Sequence, residues 1–250
     1  MHHLISPPQN GCSNSSLKDQ SPDWTGIFKA NLSSAKDARL RHFYASGVVD
    51  ASTLVKDIEF VALDFETTGL DCRKNDIVSI GLVPFTLNRI RCGESHHWIV
   101  NPRKPLGEES VVIHGITHSD VEGAPDLRRI LDEVLDCLAG RIVVVHYRNI
   151  ERGFFDAALR ARLKEGIVFP VVDTMDLEAR IHRAKPPGFW ARLLGKKRES
   201  IRLADSRARY NLPFYQGHNA LTDALATAEL LQAQIAHRYG PDTPISEIWR

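Results

Sequence analysis

The run from Ile58 to Glu66 constrains the fold of this chain more than any other segment. Strand side chains alternate between the two faces of a sheet, so every second residue shares a face. That face carries Ile58, Phe60, Ala62, Asp64 and Glu66. Two carboxylates about 7 Å apart beside an apolar face need a cation or protons. Because Mg²⁺ and Mn²⁺ prefer carboxylate oxygens, the pattern predicts a metal site at a strand end, with a solvated strand end as the open alternative.

Four further segments predict strands of the same sheet. Ile77–Phe85 and His96–Val100 follow across short turns that suit antiparallel pairing. Arg141–His146 and Ile167–Asp173 come later and alternate with helical segments. Three antiparallel strands followed by alternating helix and strand predict an α/β domain with a mixed five-stranded sheet flanked by helices.

Apolar residues recur at helical spacing in three segments around these strands. Helices are predicted from about Pro125 to Gly140, from Ile150 to Leu163 and from Ala220 to Tyr239. The main domain is therefore expected to cover residues 57–240.

The two ends of the chain differ from this domain in composition. Residues 1–22 are rich in Ser, Asn, Pro and Gln, which predicts a disordered tail. Residues 23–56 contain apolar positions at roughly helical spacing, which predicts an N-terminal helical extension. These helices either pack on the main domain or form a partner-binding arm, and the residues leave both open. Residues 241–250 are expected to form a C-terminal tail.

Composition limits the class of protein. With 43% hydrophobic and 25% charged residues, the chain is expected to fold as a globular domain. No apolar run approaches the roughly 20 residues that cross a bilayer, and no secretory signal pattern opens the chain. The four cysteines lie far apart without a CxxC pair, which favours a reducing compartment over a disulfide framework or zinc site. These features predict a cytoplasmic protein without a membrane partner.

Two other segments supply acidic residues. Asp223 lies in the first turn of the last predicted helix, roughly 135° from the centre of its apolar stripe, and His218 precedes that helix. An acid at this position is also favoured by the helix dipole alone. Glu151 and Asp156 follow the strand that ends at His146. They differ by about 140° in direction on a helix, so both cannot face one site equally.

Three motifs, in this order, give the chain a family resemblance. They are Asp64–Leu70 (Asp-Phe-Glu-Thr-Thr-Gly-Leu), His114–Thr117 (His-Gly-Ile-Thr) and His218–Ala224 (His-Asn-Ala-Leu-Thr-Asp-Ala). Together they resemble the DnaQ-like (DEDDh) 3′→5′ exonucleases, which include proofreading exonuclease subunits, ribonuclease T and oligoribonuclease. The match extends from about Asp57 to His237. The resemblance implies a ribonuclease-H-like fold and two divalent ions, Mg²⁺ or Mn²⁺, held by four acids.

The resemblance also implies roles for individual residues. Asp64, Glu66 and Asp223 match metal ligands of the family, and His218 matches its general base. The second motif departs from the usual His-Asn-Ala-x-Phe-Asp-x-x-Phe. Aligning His146, Ile150 and Phe154 on that frame puts Glu151 at the fourth ligand position and Tyr147 in place of the asparagine. Asp156 is the fallback ligand.

The implied activity is removal of nucleoside 5′-monophosphates from single-stranded or frayed 3′ ends, with DNA favoured. Residues 180–209 contain ten Lys and Arg with interleaved aromatic residues, which suits single-stranded nucleic acid, although a solvated basic loop is equally consistent. Substrate contacts are expected from Phe65, Thr67, Leu70, His114 and Phe154.

A second interpretation stays open at this point. The chain is then a weakly active or inactive nucleic-acid-binding subunit, or one docked in a replication or repair complex. In that interpretation its N-terminal helices bind a replication or repair protein.

Overall fold

A computed structural model of the chain describes residues 21–184 and 199–250. The predicted tail over residues 1–22 lies outside the described residues, apart from its last two. The middle of the basic segment, residues 185–198, also lies outside them.

The sheet has five strands in the order β3-β2-β1-β4-β5. The β1–β2 and β2–β3 pairs are antiparallel, whereas β1–β4 and β4–β5 are parallel. This arrangement confirms the predicted mixed sheet, although β5 is shorter than its apolar run suggested. The strands are β1 (Phe60–Thr67), β2 (Ile77–Phe85), β3 (His96–Ile99), β4 (Ile142–Val145) and β5 (Val171–Asp173).

Helices flank the sheet, and two of them form an extension that precedes the first strand. The last predicted helix ends at Gln234 and continues as one π-helical turn over Ile235–Tyr239. Within residues 21–184 and 199–250, no helix has the length and apolar character needed to cross a membrane. The helices are α1 (Trp24–Ser34), α2 (Ala38–Ala45), α3 (Glu108–His114), α4 (His118–Glu122), α5 (Leu127–Leu138), α6 (Arg148–Leu163), α7 (Thr174–Ala184), α8 (Leu203–Arg209) and α9 (Ala220–Gln234).

The two faces of β1 carry different neighbours. Phe65 is buried and its ring lies 5.9 Å from that of Phe155 on α6. On the opposite face, Asp64 pairs in register with Gly81 of β2, and α9 begins directly above Gly81. Asp64 and Glu66 therefore share one face of β1, and Phe65 packs on the other, as the alternation predicts.

The predicted N-terminal helices are present and pack on the main domain. The rings of Phe28, Phe43 and Tyr44 form a cluster with centroids 5.3–5.6 Å apart. The guanidinium of Arg152 lies over the ring of Trp24 on α1, 5.2 Å from the ring centroid. The apolar face of this extension is thus buried within the chain. Of the two alternatives that the sequence left open, the structure supports the first, that these helices pack on the main domain.

Residues 241–250 differ from the predicted tail. Ile245, Ile248 and Trp249 lie in the hydrophobic core. The chain end also pairs with the edge of the sheet, because Val171 and Arg250 exchange backbone hydrogen bonds of 3.1 and 2.8 Å. Burial of these three large apolar side chains lowers the free energy of the folded chain, so the segment packs on the domain instead of forming a solvated tail.

Candidate active site

Three of the predicted acids meet at one place. Asp64 and Glu66 stand at the end of β1, and Asp223 stands in the first turn of α9. One carboxylate oxygen from each residue lies within 4.8 Å of the others. Residues separated by about 160 positions in sequence therefore form one acidic cluster, at a spacing that a divalent ion can bridge.

Gly81 allows this cluster to form. A Cβ atom at this position would lie 2.2 Å from the backbone carbonyl carbon and oxygen of Ala220. Only a residue without a side chain lets the start of α9 approach the sheet this closely. Because Gly81 lies opposite Asp64, the same close approach brings Asp223 to the end of β1.

Gly81→Ala is expected to weaken Mn²⁺ binding by more than about tenfold and to lower stability by about 1–3 kcal/mol, the usual cost of overpacking. The backbone of α9 must move away from the sheet, and Asp223 moves with it. Calorimetric Mn²⁺ titration and thermal unfolding measure both effects. Gly93→Ala is the matched control, since a Cβ atom there meets nothing within 4 Å. Unchanged Mn²⁺ affinity in Gly81→Ala would contradict this explanation.

Glu151 lies beside the cluster on α6. Its side chain is only 2% exposed, and its Oε2 atom has no hydrogen-bond partner among the described residues. Burial, and then the charge of Glu151, raises the pKa of Asp64, as expected for neighbouring carboxylates. A buried carboxylate oxygen without a partner is costly in an isolated protein, and a bound cation would satisfy it.

Asp156, the fallback ligand, occupies a different environment. One carboxylate oxygen accepts a hydrogen bond of 2.7 Å from Arg160, and the other accepts one of 3.0 Å from the backbone of Ile167. The first contact lies within α6, and the second joins α6 to the segment that leads into β5. Asp156 is therefore engaged in structural contacts rather than in the acidic cluster.

Asp173 is a residue of this region that the sequence analysis did not single out. Its buried carboxylate accepts backbone hydrogen bonds from Tyr147 and Arg148 at the start of α6. It also accepts backbone hydrogen bonds from Met175 and Asp176 at the start of α7. One carboxylate thus caps two helices and fixes the turn that carries Glu151. Its position, an acid at the end of a buried strand just before a helix, is the signal that could have identified it.

The second motif departs from the family at a strained position. Tyr147, which replaces the usual asparagine, has a φ of 94°, in the left-handed region that asparagine tolerates better than tyrosine. The preceding His146 is partly buried, with Nδ1 2.8 Å from the hydroxyl of Thr174 and Nε2 3.1 Å from the carbonyl of Ile201. Burial lowers the pKa of His146 to about 4, so its role here is structural.

The acids carry unusual pKa values because they crowd together away from water. Burial, and then the charges of Glu151, Asp223 and Glu66, raises the pKa of Asp64 well above its ordinary value. Burial and the Asp223 charge raise the pKa of Glu66 to about 7. Burial also raises the pKa of Asp223, partly offset by the backbone N–H of His218. Crowded carboxylates of this kind bind protons near neutral pH unless a bound cation replaces the protons.

This crowding makes stability depend on pH in a defined direction. Between pH 4.5 and about 7 the folded chain retains a proton on Glu66 that the unfolded chain releases. The contribution of Glu66 to the free energy of unfolding therefore falls as pH rises through that window. With EDTA present, Glu66→Gln is expected to raise the unfolding temperature at pH 8 more than at pH 5. Mn²⁺ should stabilise the unmodified chain at pH 8 and much less at pH 5. Equal Glu66→Gln effects at both pH values would contradict this expectation.

Two histidines border the cluster. His218 is exposed, adopts a φ of 69°, and donates its backbone N–H to Asp223 Oδ2 at 2.8 Å. His114, at the end of α3, lies close enough for the charge of His218 to lower its pKa, an effect that adds to the larger one of burial. His114 Nδ1 accepts the backbone N–H of Ile116 at 3.0 Å. The backbone contact thus holds His218 next to Asp223, and His114 lies near His218.

The other predicted substrate contacts fall into two groups. Leu70 is 85% exposed four residues after Glu66, where a nucleotide can reach it. The hydroxyl of Thr67 donates to the carbonyl of Gly69 and shapes the turn between them. Phe65 and Phe154 are buried in the core, which leaves neither ring a surface for a base. Both lie on the apolar sides of their elements, a distinction that proximity to a motif does not reveal.

Sequence comparisons agree with this geometry. The RNase T family model, described as an exonuclease, matches residues 61–231. A PolC-type DNA polymerase III from Thermotoga maritima is 30% identical over 174 residues, which cover 70% of this chain and 12% of that protein. The corresponding polymerase from Bacillus subtilis is 26% identical over 185 residues, covering 72% of this chain and 12% of that protein. The chain therefore spans about an eighth of the polymerases that it matches.

Solved structures share the fold at low sequence identity. The nuclease domain of 3'hExo, a DEDDh family member bound to rAMP, superposes with a TM-score of 0.58 at 12% identity, covering 78% of this chain and 97% of that chain. Exonuclease I of E. coli in complex with a dA16 oligonucleotide gives 0.56 at 13% identity, covering 73% and 41%. With the matching family model and the fold, these likenesses show that the chain belongs to the DnaQ-like (DEDDh) exonuclease superfamily.

Proposed function

We propose that this chain removes nucleoside 5′-monophosphates one at a time from single-stranded or frayed 3′ ends, with DNA as the favoured substrate. The observation that carries the proposal is the partly buried acidic cluster of Asp64, Glu66 and Asp223, with buried Glu151 beside it. Crowded carboxylates with raised pKa values in a family of exonucleases are typical of a catalytic centre.

The residues present suit Mg²⁺ or Mn²⁺. Three carboxylates offer oxygens within 4.8 Å of one another, and Glu151 adds a buried oxygen that has no hydrogen-bond partner among the described residues. An all-oxygen donor set is what hard divalent ions prefer. When bound, two such ions stabilise charge on the attacking and departing oxygens of phosphodiester hydrolysis. The four acids hold the ions, and Asp173 keeps Glu151 in place.

His218 is the proposed general base. An imidazole is suited to proton removal near neutral pH, because an unperturbed histidine titrates near 6.5. The hydrogen bond from its backbone to Asp223 keeps His218 beside the acids, while its exposed ring can pass the proton to solvent. We also propose that Leu70, Thr67 and His114 position the terminal nucleotide, since Thr67 and Leu70 directly follow Glu66 and His114 lies near His218.

The preference for DNA rests on the relatives. The similar sequences belong to PolC-type DNA polymerases, which favours work near replication or repair, with a replication or repair protein as partner. The solved structures include an enzyme bound to a dA16 oligonucleotide and a nuclease domain bound to rAMP. RNA is therefore the alternative substrate that must be tested beside DNA.

The test is digestion of DNA and RNA oligomers that carry a label at the 3′ or the 5′ end, with Mn²⁺ or with EDTA. We expect immediate release of labelled mononucleotide from the 3′ end, a ladder that shortens by one nucleotide from the 5′-labelled strand, and no cleavage with EDTA. Asp64→Ala serves as the inactive control. First release from the 5′ end, or equal cleavage by Asp64→Ala, would refute the proposal.

A further inference from the structure

Phe214 is an aromatic residue that none of the motifs explains. It lies in the loop between α8 and α9, and its side chain is 85% exposed. A large apolar ring in this position gains free energy only when something covers it. A single exposed ring is common on a protein surface, so its significance depends on how rigidly it is held and on what lies near it.

The residues on either side of Phe214 are fixed. Buried Arg207 donates to the carbonyl of Pro213 at 2.9 Å and to Glu229 Oε2 at 2.7 Å. The same guanidinium lies over the ring of Tyr215, 4.5 Å from its centroid, and the Tyr215 hydroxyl donates to Glu229 Oε1 at 2.9 Å. The loop is thus braced against α8 and α9, and Phe214 projects from a rigid support.

This support lies near the acidic cluster. Glu229 follows Asp223 by six residues, which corresponds to about 9 Å along the axis of α9. Beyond Tyr215 the loop runs directly to His218, whose backbone is bonded to Asp223. The acids are proposed to take the terminal nucleotide, so a side chain exposed outside the cluster at this distance is placed to meet nucleotides upstream of it, about the second to fourth from the 3′ end.

We propose that Phe214 stacks on an unpaired base upstream of the 3′-terminal nucleotide. The inference rests on the proposed exonuclease function and specifies its substrate as a strand whose last several bases are unstacked. A base is the proposed occupant, because the loop that carries Phe214 leads directly to His218 and Asp223, where the 3′ end is proposed to bind. Every base has a π-face, so this contact holds the strand without reading its sequence.

The first test is steady-state kinetics on a single-stranded 12-mer of DNA or RNA, whichever the unmodified chain degrades faster. Phe214→Ala is expected to raise KM about tenfold, in line with the loss of one base-stacking contact, and to change kcat less than about twofold. Phe214→Tyr keeps an aromatic face and should restore KM. Val168→Ala truncates another exposed apolar side chain, 42% exposed and outside the site, and should leave KM unchanged.

The second test locates the base. An abasic nucleotide is placed in turn at the second, third and fourth positions from the 3′ end. One of these should raise KM for the unmodified chain but not for Phe214→Ala, since the contact is already lost. An unchanged KM in Phe214→Ala, or equal abasic penalties in both proteins, overturns the inference alone. Failure of the unmodified chain to shorten any single strand with Mn²⁺ overturns the proposed function instead.

Discussion

Glu151→Gln is expected to abolish Mn²⁺-supported cleavage, with a loss of at least about a thousandfold, without lowering the unfolding temperature. Glutamine has the same shape but lacks the negative charge that a divalent ion needs. The carboxylate is buried, and its Oε2 has no hydrogen-bond partner among the described residues, so the folded chain without metal loses little. Cleavage rates and thermal unfolding with EDTA measure the two effects separately.

Asp156→Asn is the matched control on the same helix. It removes the charge from a carboxylate that contacts Arg160 and the backbone of Ile167, so we expect a modest loss of stability and activity within a few-fold of the unmodified chain. The reverse result, with Asp156→Asn inactive and Glu151→Gln active, would assign the fourth acid to Asp156.

His218→Ala is expected to keep its metal affinity but to lose about 10²- to 10⁴-fold in kcat near neutral pH, the range typical of general bases. The acids that bind the ions are unchanged, and only the imidazole is lost. Single-turnover rates together with calorimetric Mn²⁺ titration separate these effects.

The backbone of His218 requires a control of its own. Its φ of 69° is more easily adopted by glycine than by alanine, so His218→Ala also adds local strain. His218→Gly relieves that strain and should be as slow as His218→Ala. A change below about twofold in His218→Gly, with chemistry rate-limiting, would remove His218 from this role.

The strand that ends at Asp64 and Glu66 was predictable because its alternation and its acids lie in one short segment. The choice of Glu151 over Asp156 also came from local information, namely the apolar frame of Ile150 and Phe154 in the second motif. That choice is still a prediction, since its role awaits the variants above. The local sequence pattern could predict only which side of the helix each of these two acids occupies.

Other features depend on contacts between distant segments, which a single sequence does not display. In the sequence, Gly81 is an ordinary residue of an apolar strand. Only the folded structure shows that the backbone of Ala220 packs directly against it. Asp173 caps α6 and α7 at once only because β5 lies beside β4. Trp249 belongs to the core through pairing at the sheet edge, although its segment looks like a solvated tail.

The central claim is that Glu151 completes a four-acid metal site with Asp64, Glu66 and Asp223. A crystal structure of the chain with Mn²⁺, using anomalous scattering to locate the ions, tests this most directly. The expected result is a carboxylate oxygen of Glu151 within about 2.5 Å of an ion, or one water molecule away from it. Manganese bound by the other three acids with Glu151 turned away, or bound with Asp156 as the fourth ligand, would contradict the claim.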